Sequence, residues 1–162
     1  MVDRLWTPWR MAYIKGDERH ASCIFCDFPS QDGASDKGNL IVARGDQSFV
    51  ILNKFPYNPG HLLVVPLRHV GDLSEVTPEE NAELQALLQR SLAAIRLTSD
   101  PAGFNIGLNL GRIAGAGIPG HLHWHVVPRW SGDTNFMPVV GETRVLPELL
   151  AETYLRLKPG FE

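Results

Sequence analysis

The sequence predicts an α+β domain built around a five-stranded antiparallel sheet, with one long helix and a short C-terminal helix. Two observations predict this class: five short apolar runs are separated by turn residues, and one long segment repeats leucines at helical spacing. The chain has 162 residues, of which 44% are hydrophobic and 20% charged. A chain of this size and composition can bury a full core, so we expect a single domain over residues 1–162.

The two segments that precede the sheet differ in composition. Residues 1–20 hold Trp6, Trp9 and Tyr13 among basic side chains. We expect them to form an arm or short helix whose aromatic residues pack on the body or on a partner subunit. Residues 30–39 are rich in Gly, Ser and Asp, which is typical of an exposed loop.

The five strands are predicted from apolar runs that are bounded by turns. Arg44, Gly45 and Asp46 separate the first two runs and predict a hairpin, and a second turn at residues 57–60 precedes the third run. The predicted strands cover residues 40–43, 48–53, 61–66 and 104–110, together with a last strand that begins at residue 121.

Residues 77–98 give the clearest helix signal. Thr77 can cap this helix, Pro78 suits the first helical position, and Glu80 completes a capping box. One helix face is expected to be buried because apolar residues recur on it at helical spacing. These residues are Leu84, Leu87, Leu88, Leu92 and Ile95. A second helix is predicted over residues 147–157.

The net charge and the absence of several motifs exclude some classes of function. The formal net charge is −3, whereas a nucleic-acid-binding surface is normally basic, so we expect no nucleic-acid partner. No apolar run is long enough for a secretory signal or a membrane span, and we expect a cytoplasmic protein without membrane contact. The chain also lacks the glycine motifs of nucleotide-binding loops and the serine elbow of hydrolases, and we expect no organic cofactor.

Three histidines, His121, His123 and His125, alternate with apolar residues. On a strand this spacing places the imidazoles on one face and the apolar side chains on the other. Imidazoles can act as nucleophiles, acids, bases or metal ligands. Because no other nucleophile motif is present, an imidazole is the natural group to attack phosphorus, and a second imidazole can protonate the leaving oxygen.

A glycine-rich loop at residues 111–120 leads into the histidines. Glycines let backbone N–H groups approach an anion closely. A phosphate bound at residues 115–118 would therefore lie near the imidazoles. A flexible hairpin loop without a ligand is the alternative interpretation of the same glycines.

Cys23 and Cys26 are spaced like ligands of a zinc ion. A structural zinc site needs four ligands, and His69 and His121 are candidates for the third and fourth. The alternative is a pair of buried cysteines that holds no metal.

Taken together, these motifs resemble the histidine-triad (HIT) nucleotide-binding hydrolases and transferases. The triad would be His121, His123 and His125, and the resemblance extends over nearly the whole chain. The matching segments are residues 6–10, 23–26, 58–61, 66–69, 109–111 and 121–127. The resemblance implies a small antiparallel sheet with a long helix, and a homodimer in which two sheets join edge to edge.

The resemblance also implies roles for three histidines. In this family the middle histidine of the triad attacks the α-phosphorus of a nucleotide, so His123 would be the nucleophile and would form a nucleotidyl-histidine intermediate. His125 would contact the scissile phosphate or its leaving oxygen. His61 would support the orientation of the nucleophile.

Further positions match nucleotide and metal contacts of the family. Asn53 matches a position that binds the ribose hydroxyls, and Asn109 matches a position near the α-phosphate. Many members carry a glutamine where this chain has Gly117, so the backbone N–H groups of Gly117 and Ile118 are expected to hold the phosphate instead. Members of the family that carry the cysteine pair hold a structural zinc at four positions. In this chain the matching residues are Cys23, Cys26, His69 and His121.

Residues 115–118, together with residues 128–130 and 132–136, resemble a bacterial branch of the family that includes diadenosine tetraphosphate phosphorylases. In that branch inorganic phosphate, not water, resolves the intermediate. The leading hypothesis is nucleotidyl transfer from dinucleoside polyphosphates such as diadenosine tetraphosphate, completed by phosphate or water. The alternatives are an adenylyl phosphoramidate hydrolase of the same fold, a nucleotide-sensing module with little catalysis, and a protein that binds metal through all three histidines.

Overall fold

The computed structural model describes residues 23–133 and 148–162. A five-stranded sheet forms its centre, and every neighbouring pair of strands is antiparallel. The strands are β1 (Ile41–Arg44), β2 (Ser48–Leu52), β3 (Leu62–Pro66), β4 (Gly103–Leu108) and β5 (Trp124–Arg129), in the spatial order β1-β2-β3-β5-β4. The helices are α1 (Ile24–Ser30), α2 (Asp36–Asn39), α3 (Pro78–Ser99) and α4 (Leu150–Leu157), with 3₁₀ turns at Gly33–Ser35, Leu73–Glu75 and Lys158–Phe161. The predicted fold class is confirmed.

The predicted hairpin joins β1 to β2, and helix α3 holds its turn. The Gly45 N–H donates to the Ser48 carbonyl at 2.8 Å. The Glu83 carboxylate on α3 accepts bonds from the Gln47 N–H at 3.0 Å and the Ser48 hydroxyl at 2.7 Å. A side chain at position 45 would meet this carboxylate, since an added Cβ would lie 2.1 Å from Glu83 Oε1. Glycine at the turn therefore leaves room for the contact between hairpin and helix.

Apolar side chains cover both faces of the sheet. On one face α3 and α4 pack against β-strand residues, with Val64, Leu84 and Ile95 fully buried. On the other face Phe25 from α1 packs against a second cluster. That cluster contains Ile41, Phe49, Ile51, Leu63 and Val65. Strands β2 and β3 are apolar along nearly their whole length because both of their faces are buried.

The register of β3 and β5 determines on which face the histidine motif lies. Leu63 is paired with His125, and Val64 is paired with Trp124. Directly opposed residues on antiparallel strands project to the same face. His125 therefore shares the α1 face with Leu63, whereas Trp124 packs on the α3 side. Helix α3 therefore covers one face of the sheet, and α1 packs on the opposite face, which carries His125.

The long helix has the N-terminus that its sequence predicts. The Thr77 hydroxyl accepts the Glu80 N–H at 3.2 Å, and the Glu80 carboxylate accepts the Thr77 N–H at 2.9 Å. The same carboxylate binds the Arg68 guanidinium through two contacts of 2.8 Å. The capping box therefore also ties the helix to the segment that follows β3. None of the helices in the described part of the chain is both long and apolar enough to cross a membrane.

The structure adds helix α1, which the sequence did not predict, and it differs from the prediction most clearly in two other places. Residues 30–39 are not a plain exposed loop, because they contain a 3₁₀ turn and helix α2. Arg44 holds this segment by donating to Asp36 at 2.7 Å and to the Pro29 carbonyl at 2.6 Å. The last strand begins at Trp124, not at residue 121, because the Leu122 N–H donates to the Val70 carbonyl outside the sheet ladder. The predicted arm at residues 1–20 lies outside the described residues.

Candidate active site and metal centre

His61 and His125 form a hydrogen-bonded pair across strands β3 and β5. His61 is fully buried directly before β3, and its Nε2 lies 2.9 Å from Nδ1 of His125. The Tyr57 N–H donates to His61 Nδ1 at 3.1 Å. Because Nδ1 of His61 accepts, its proton is on Nε2 and is donated to His125 Nδ1. In a neutral His125 ring the proton is then carried by Nε2.

Tyr57 is a site residue that the sequence interpretation missed. Its ring lies 4.9 Å from the His61 ring and is stacked at 6.0 Å on the His125 ring, measured between centroids. The available signal was its position directly before the turn that leads into His61. Tyr57 therefore contacts both members of the histidine pair, through its backbone N–H and through its ring.

His123 is held in the protonation state that a nucleophile requires. Its Nδ1 donates to the backbone carbonyl of His121 at 2.8 Å, so that Nε2 carries the lone pair of the neutral ring. Burial lowers the pKa of His123, which favours the neutral form. The ring lies 5.1 Å from the His125 ring and 5.2 Å from Phe25. The arrangement places a neutral imidazole beside a second imidazole that carries a proton on Nε2.

Phe25 is the second site residue that sequence reasoning missed. It lies between the two cysteines in sequence and is buried, with 3% of its surface exposed. Its ring contacts His121 at 5.4 Å and His123 at 5.2 Å. The segment that carries the cysteines therefore also packs on the ring of the candidate nucleophile.

The four predicted metal ligands lie together. His121 Nδ1 is 3.3 Å from Cys23 Sγ and 3.6 Å from Cys26 Sγ, and His69 Nδ1 is 3.3 Å from Cys26 Sγ. All four ligand atoms lie within 4.8 Å of one another. Within residues 23–133 and 148–162, this is the one group of three or more His, Cys, Asp or Glu side chains close enough to share an ion.

The chemistry of this donor set fits zinc. Two sulfur and two nitrogen donors match a tetrahedral structural site. His121 Nε2 donates to the Pro66 carbonyl at 2.8 Å, which leaves Nδ1 as the ligand atom and supplies the outer hydrogen bond common in metal sites. Burial lowers the pKa of His121 to about 4, so its ring is neutral and able to bind metal.

Two of the four predicted nucleotide contacts, Asn53 and Ile118, are hydrogen-bonded to histidines of the site. Asn53 lies beside His61, with Nδ2 at 3.4 Å from Nδ1 of that ring. Asn109 follows the end of β4 directly and is half-buried. Ile118 packs against the cluster that contains Phe25, and its carbonyl accepts the His121 N–H at 3.2 Å. Gly117 is exposed in the loop that leads to the triad.

Comparison with known proteins shows which family and relatives this chain resembles. The HIT domain family model matches residues 35–132. The AP-4-A phosphorylase of Mycobacterium tuberculosis (strain H37Rv) is 46% identical over 157 residues, which cover 94% of this chain and 80% of the relative. The bis(5'-nucleosyl)-tetraphosphatase [asymmetrical] of Schizosaccharomyces pombe is 33% identical over 96 residues, which cover 59% of this chain and 52% of that protein.

A solved structure gives the same result for the fold. The crystal structure of a zinc-bound histidine triad family protein from Mycobacterium smegmatis is 31% identical and covers 87% of this chain and 94% of its own. Its TM-score to this structure is 0.66. The family model alone spans more than half of the chain and includes His61 and all three triad histidines. The chain therefore belongs to the HIT domain family, as the resemblance of its histidine motif and flanking segments implies.

Proposed function

We propose that this protein is a nucleotidyl-transfer enzyme that cleaves dinucleoside polyphosphates such as diadenosine tetraphosphate at the α-phosphate. The observation that carries the proposal is the state of His123, a buried neutral imidazole whose Nδ1 is engaged and whose Nε2 holds the lone pair. The second supporting observation is the 46% identity to a protein named AP-4-A phosphorylase.

The reaction proceeds in two steps in this proposal. Nε2 of His123 attacks the α-phosphorus, a P–N bond forms, and the P–O bond to the rest of the substrate breaks. The Nε2–H of His125, whose Nδ1 is bonded to His61, donates a hydrogen bond to the leaving oxygen, which departs as an anion with the electrons of the broken bond. An anionic oxygen of inorganic phosphate, or the oxygen of a water that releases a proton to solvent, then attacks the same phosphorus. A P–O bond forms, the P–N bond breaks, and its electron pair returns to Nε2 of His123. With diadenosine tetraphosphate, phosphate gives ADP and ATP, and water gives AMP and ATP.

Four further residues are assigned to nucleotide binding. Asn53 binds the ribose hydroxyls, and its position beside His61 brings the sugar next to the reacting phosphate. Asn109 contacts the α-phosphate region. The backbone N–H groups of Gly117 and Ile118 hold phosphate oxygens in place of a glutamine side chain. An open position at Gly117 also gives the incoming phosphate or water room beside the phosphorus.

We also propose that Cys23, Cys26, His69 and His121 hold a structural zinc ion. When bound, the ion joins the start of α1 to the segment before β5. The protein is further proposed to be a homodimer in which sheets join edge to edge. Strand β4 lies at an edge of the described sheet and carries Ile106, which is 45% exposed.

Product analysis with diadenosine tetraphosphate, with and without inorganic phosphate, tests the proposal. ADP and ATP that form only with phosphate identify a phosphorylase, and AMP and ATP that form regardless of phosphate identify a hydrolase. Both outcomes support nucleotidyl transfer. No turnover in either condition would contradict the proposed substrate class. Adenylyl phosphoramidates would then be tested, and nucleotide binding without turnover of either substrate would favour a sensing module.

A further inference from the structure

We propose that Asn58 and Asp133 form a positioning pair that holds the His61 ring against His125. The inference rests on the proposed function, since it assigns the pair a role in the same histidine relay. Neither residue touches the reacting atoms in this proposal. They act through the turn at residues 57–60, which presents His61 to the active site.

Asn58 joins this turn to the end of strand β5. It is buried, with 4% of its surface exposed. Its Nδ2 donates to the Pro128 carbonyl at 2.9 Å and to Asp133 Oδ2 at 2.7 Å. Its backbone carbonyl accepts the His61 N–H at 3.1 Å. One residue thus fixes the backbone of His61 at one end and the strand that carries His125 at the other.

Asp133 is held in place as the charged partner of this amide. Arg129 donates to its two carboxylate oxygens at 2.6 and 2.9 Å, and the Trp130 N–H donates at 3.2 Å. Arg129 also donates to Asn105 on the neighbouring strand at 2.6 Å. These bonds hold the pKa of Asp133 far below its usual range, so the carboxylate stays ionised and its bond to Asn58 is charge-assisted.

The remaining contacts of the turn make its position specific. Gly60 has φ of +82°, a conformation that favours glycine. A Cβ added there would lie 3.4 Å from the Pro128 ring, so the turn rests directly on β5. The His61–His125 bond of 2.9 Å depends on the distance between the turn and the strand. The Asn58–Asp133 bond also joins the turn to the end of β5. Its loss should change the distance between His61 and His125, and small displacements of catalytic groups have large effects on rate.

A double-mutant cycle tests whether Asn58 acts through His61. In Asn58→Ala, we expect kcat for diadenosine tetraphosphate to fall about 10- to 100-fold, with KM nearly unchanged. In a His61→Ala background the same change should lower kcat by less than about twofold, because the group that it positions is gone. Losses that multiply fully in the double variant would overturn the proposal. Asn39→Ala, which removes an exposed amide bonded to Gln31, is the matched control and should leave kcat unchanged.

A spectroscopic readout separates this proposal from the proposed function. In protein labelled with ¹⁵N-histidine, we expect His61 to show the tautomer protonated on Nε2. In Asn58→Ala the resolved His61 and His125 signals should broaden or shift toward mixed tautomers. Unchanged signals would overturn the positioning role, whether or not the protein cleaves the dinucleotide.

Asp133→Asn provides a second variant if Asn58→Ala does not fold. It preserves the shape of the side chain and removes its charge, so the bonds to Arg129 and Asn58 weaken. We expect the same spectroscopic change at His61, with a smaller loss of kcat. A stable Asp133→Asn protein with wild-type signals and wild-type kcat would contradict the proposal.

Discussion

At the scale of single residues, hydrogen-bond partners give the three triad histidines different chemistry. Nδ1 of His121 faces two thiols, Nδ1 of His123 donates to a backbone carbonyl, and Nδ1 of His125 accepts from His61. The tautomer of each ring follows from the role of that nitrogen. In the proposed mechanism the first ring binds metal, the second attacks phosphorus, and the third donates a hydrogen bond to the leaving oxygen.

His123→Ala should abolish turnover without abolishing nucleotide binding. The substitution removes the lone pair that forms the P–N bond, and a covalent route has no substitute for its nucleophile. We expect kcat to fall by at least about 1000-fold, while AMP still binds in a calorimetric titration. A variant that retains near-normal rates would show that the mechanism is wrong.

At the scale of elements, the segment from Cys23 through α1 depends on side chains from elsewhere in the chain. Its two cysteines lie against His69, which follows β3, and against His121, which precedes β5. We expect about one zinc ion per chain in the wild-type protein and much less in Cys23→Ser, measured by elemental analysis. Loss of the ion should also lower the melting temperature, because metal binding is coupled to folding. A zinc ion that remains in Cys23→Ser would instead indicate a site at the triad.

The C-terminal turn at Lys158–Phe161 packs closely on the long helix. A Cβ added to Gly160 would lie 2.7 Å from the Ala94 Cβ and 3.0 Å from its Cα, and the helix backbone cannot easily move away. Gly160→Ala should therefore reduce the free energy of unfolding by about 1–3 kcal/mol in a denaturant titration. Gly33→Ala is the matched control, since nothing lies within 4 Å of a Cβ at that position. Equal stabilities of the two variants would contradict the close packing.

At the scale of the whole molecule, the sequence predicted the strands and the long helix, which depend on patterns of neighbouring residues. Alternating and continuous apolar runs, turn residues and a capping box identified five strands and the long helix, since these signals depend on neighbours in sequence. The order of the strands was not predicted, and neither were helices α1 and α2, which pack on the sheet or are held by Arg44 of β1. Local signals do not report contacts between segments that are far apart in the chain.

The same division applies to the candidate site. The four metal-ligand candidates were named from residue type and family resemblance, and the fold brings them together. Tyr57 and the Asn58–Asp133 bond were missed, because Asp133 is 75 positions from Asn58 and only the pairing of β3 with β5 makes them neighbours. Side chains that act on a substrate carry recognisable chemistry, whereas side chains that position them are ordinary polar residues in the sequence.

The ion pair between Glu80 and Arg68 should make the stability of the whole molecule depend on acid. The Arg68 guanidinium and the Thr77 N–H lower the pKa of Glu80 from its usual 4.5 to about 2. A carboxyl whose pKa is lower in the folded state stabilises the protein above its unfolded pKa, and this contribution disappears as the pH falls through the folded pKa. Wild type should therefore exceed Glu80→Gln in unfolding free energy by a constant amount above about pH 6.

We expect that difference to be about 1–2 kcal/mol, because Arg68 is 46% exposed and water screens part of the interaction. The difference should shrink steadily from about pH 5, and little of it should remain at about pH 2, where about half of Glu80 in the folded wild type is also protonated. Urea titrations at several pH values measure it. Glu79→Gln changes an exposed neighbour in the same helical turn and should shift stability by no more than a few tenths of a kcal/mol. If the loss of stability in Glu80→Gln stays the same at every pH, it comes from packing and not from the ion pair between Glu80 and Arg68.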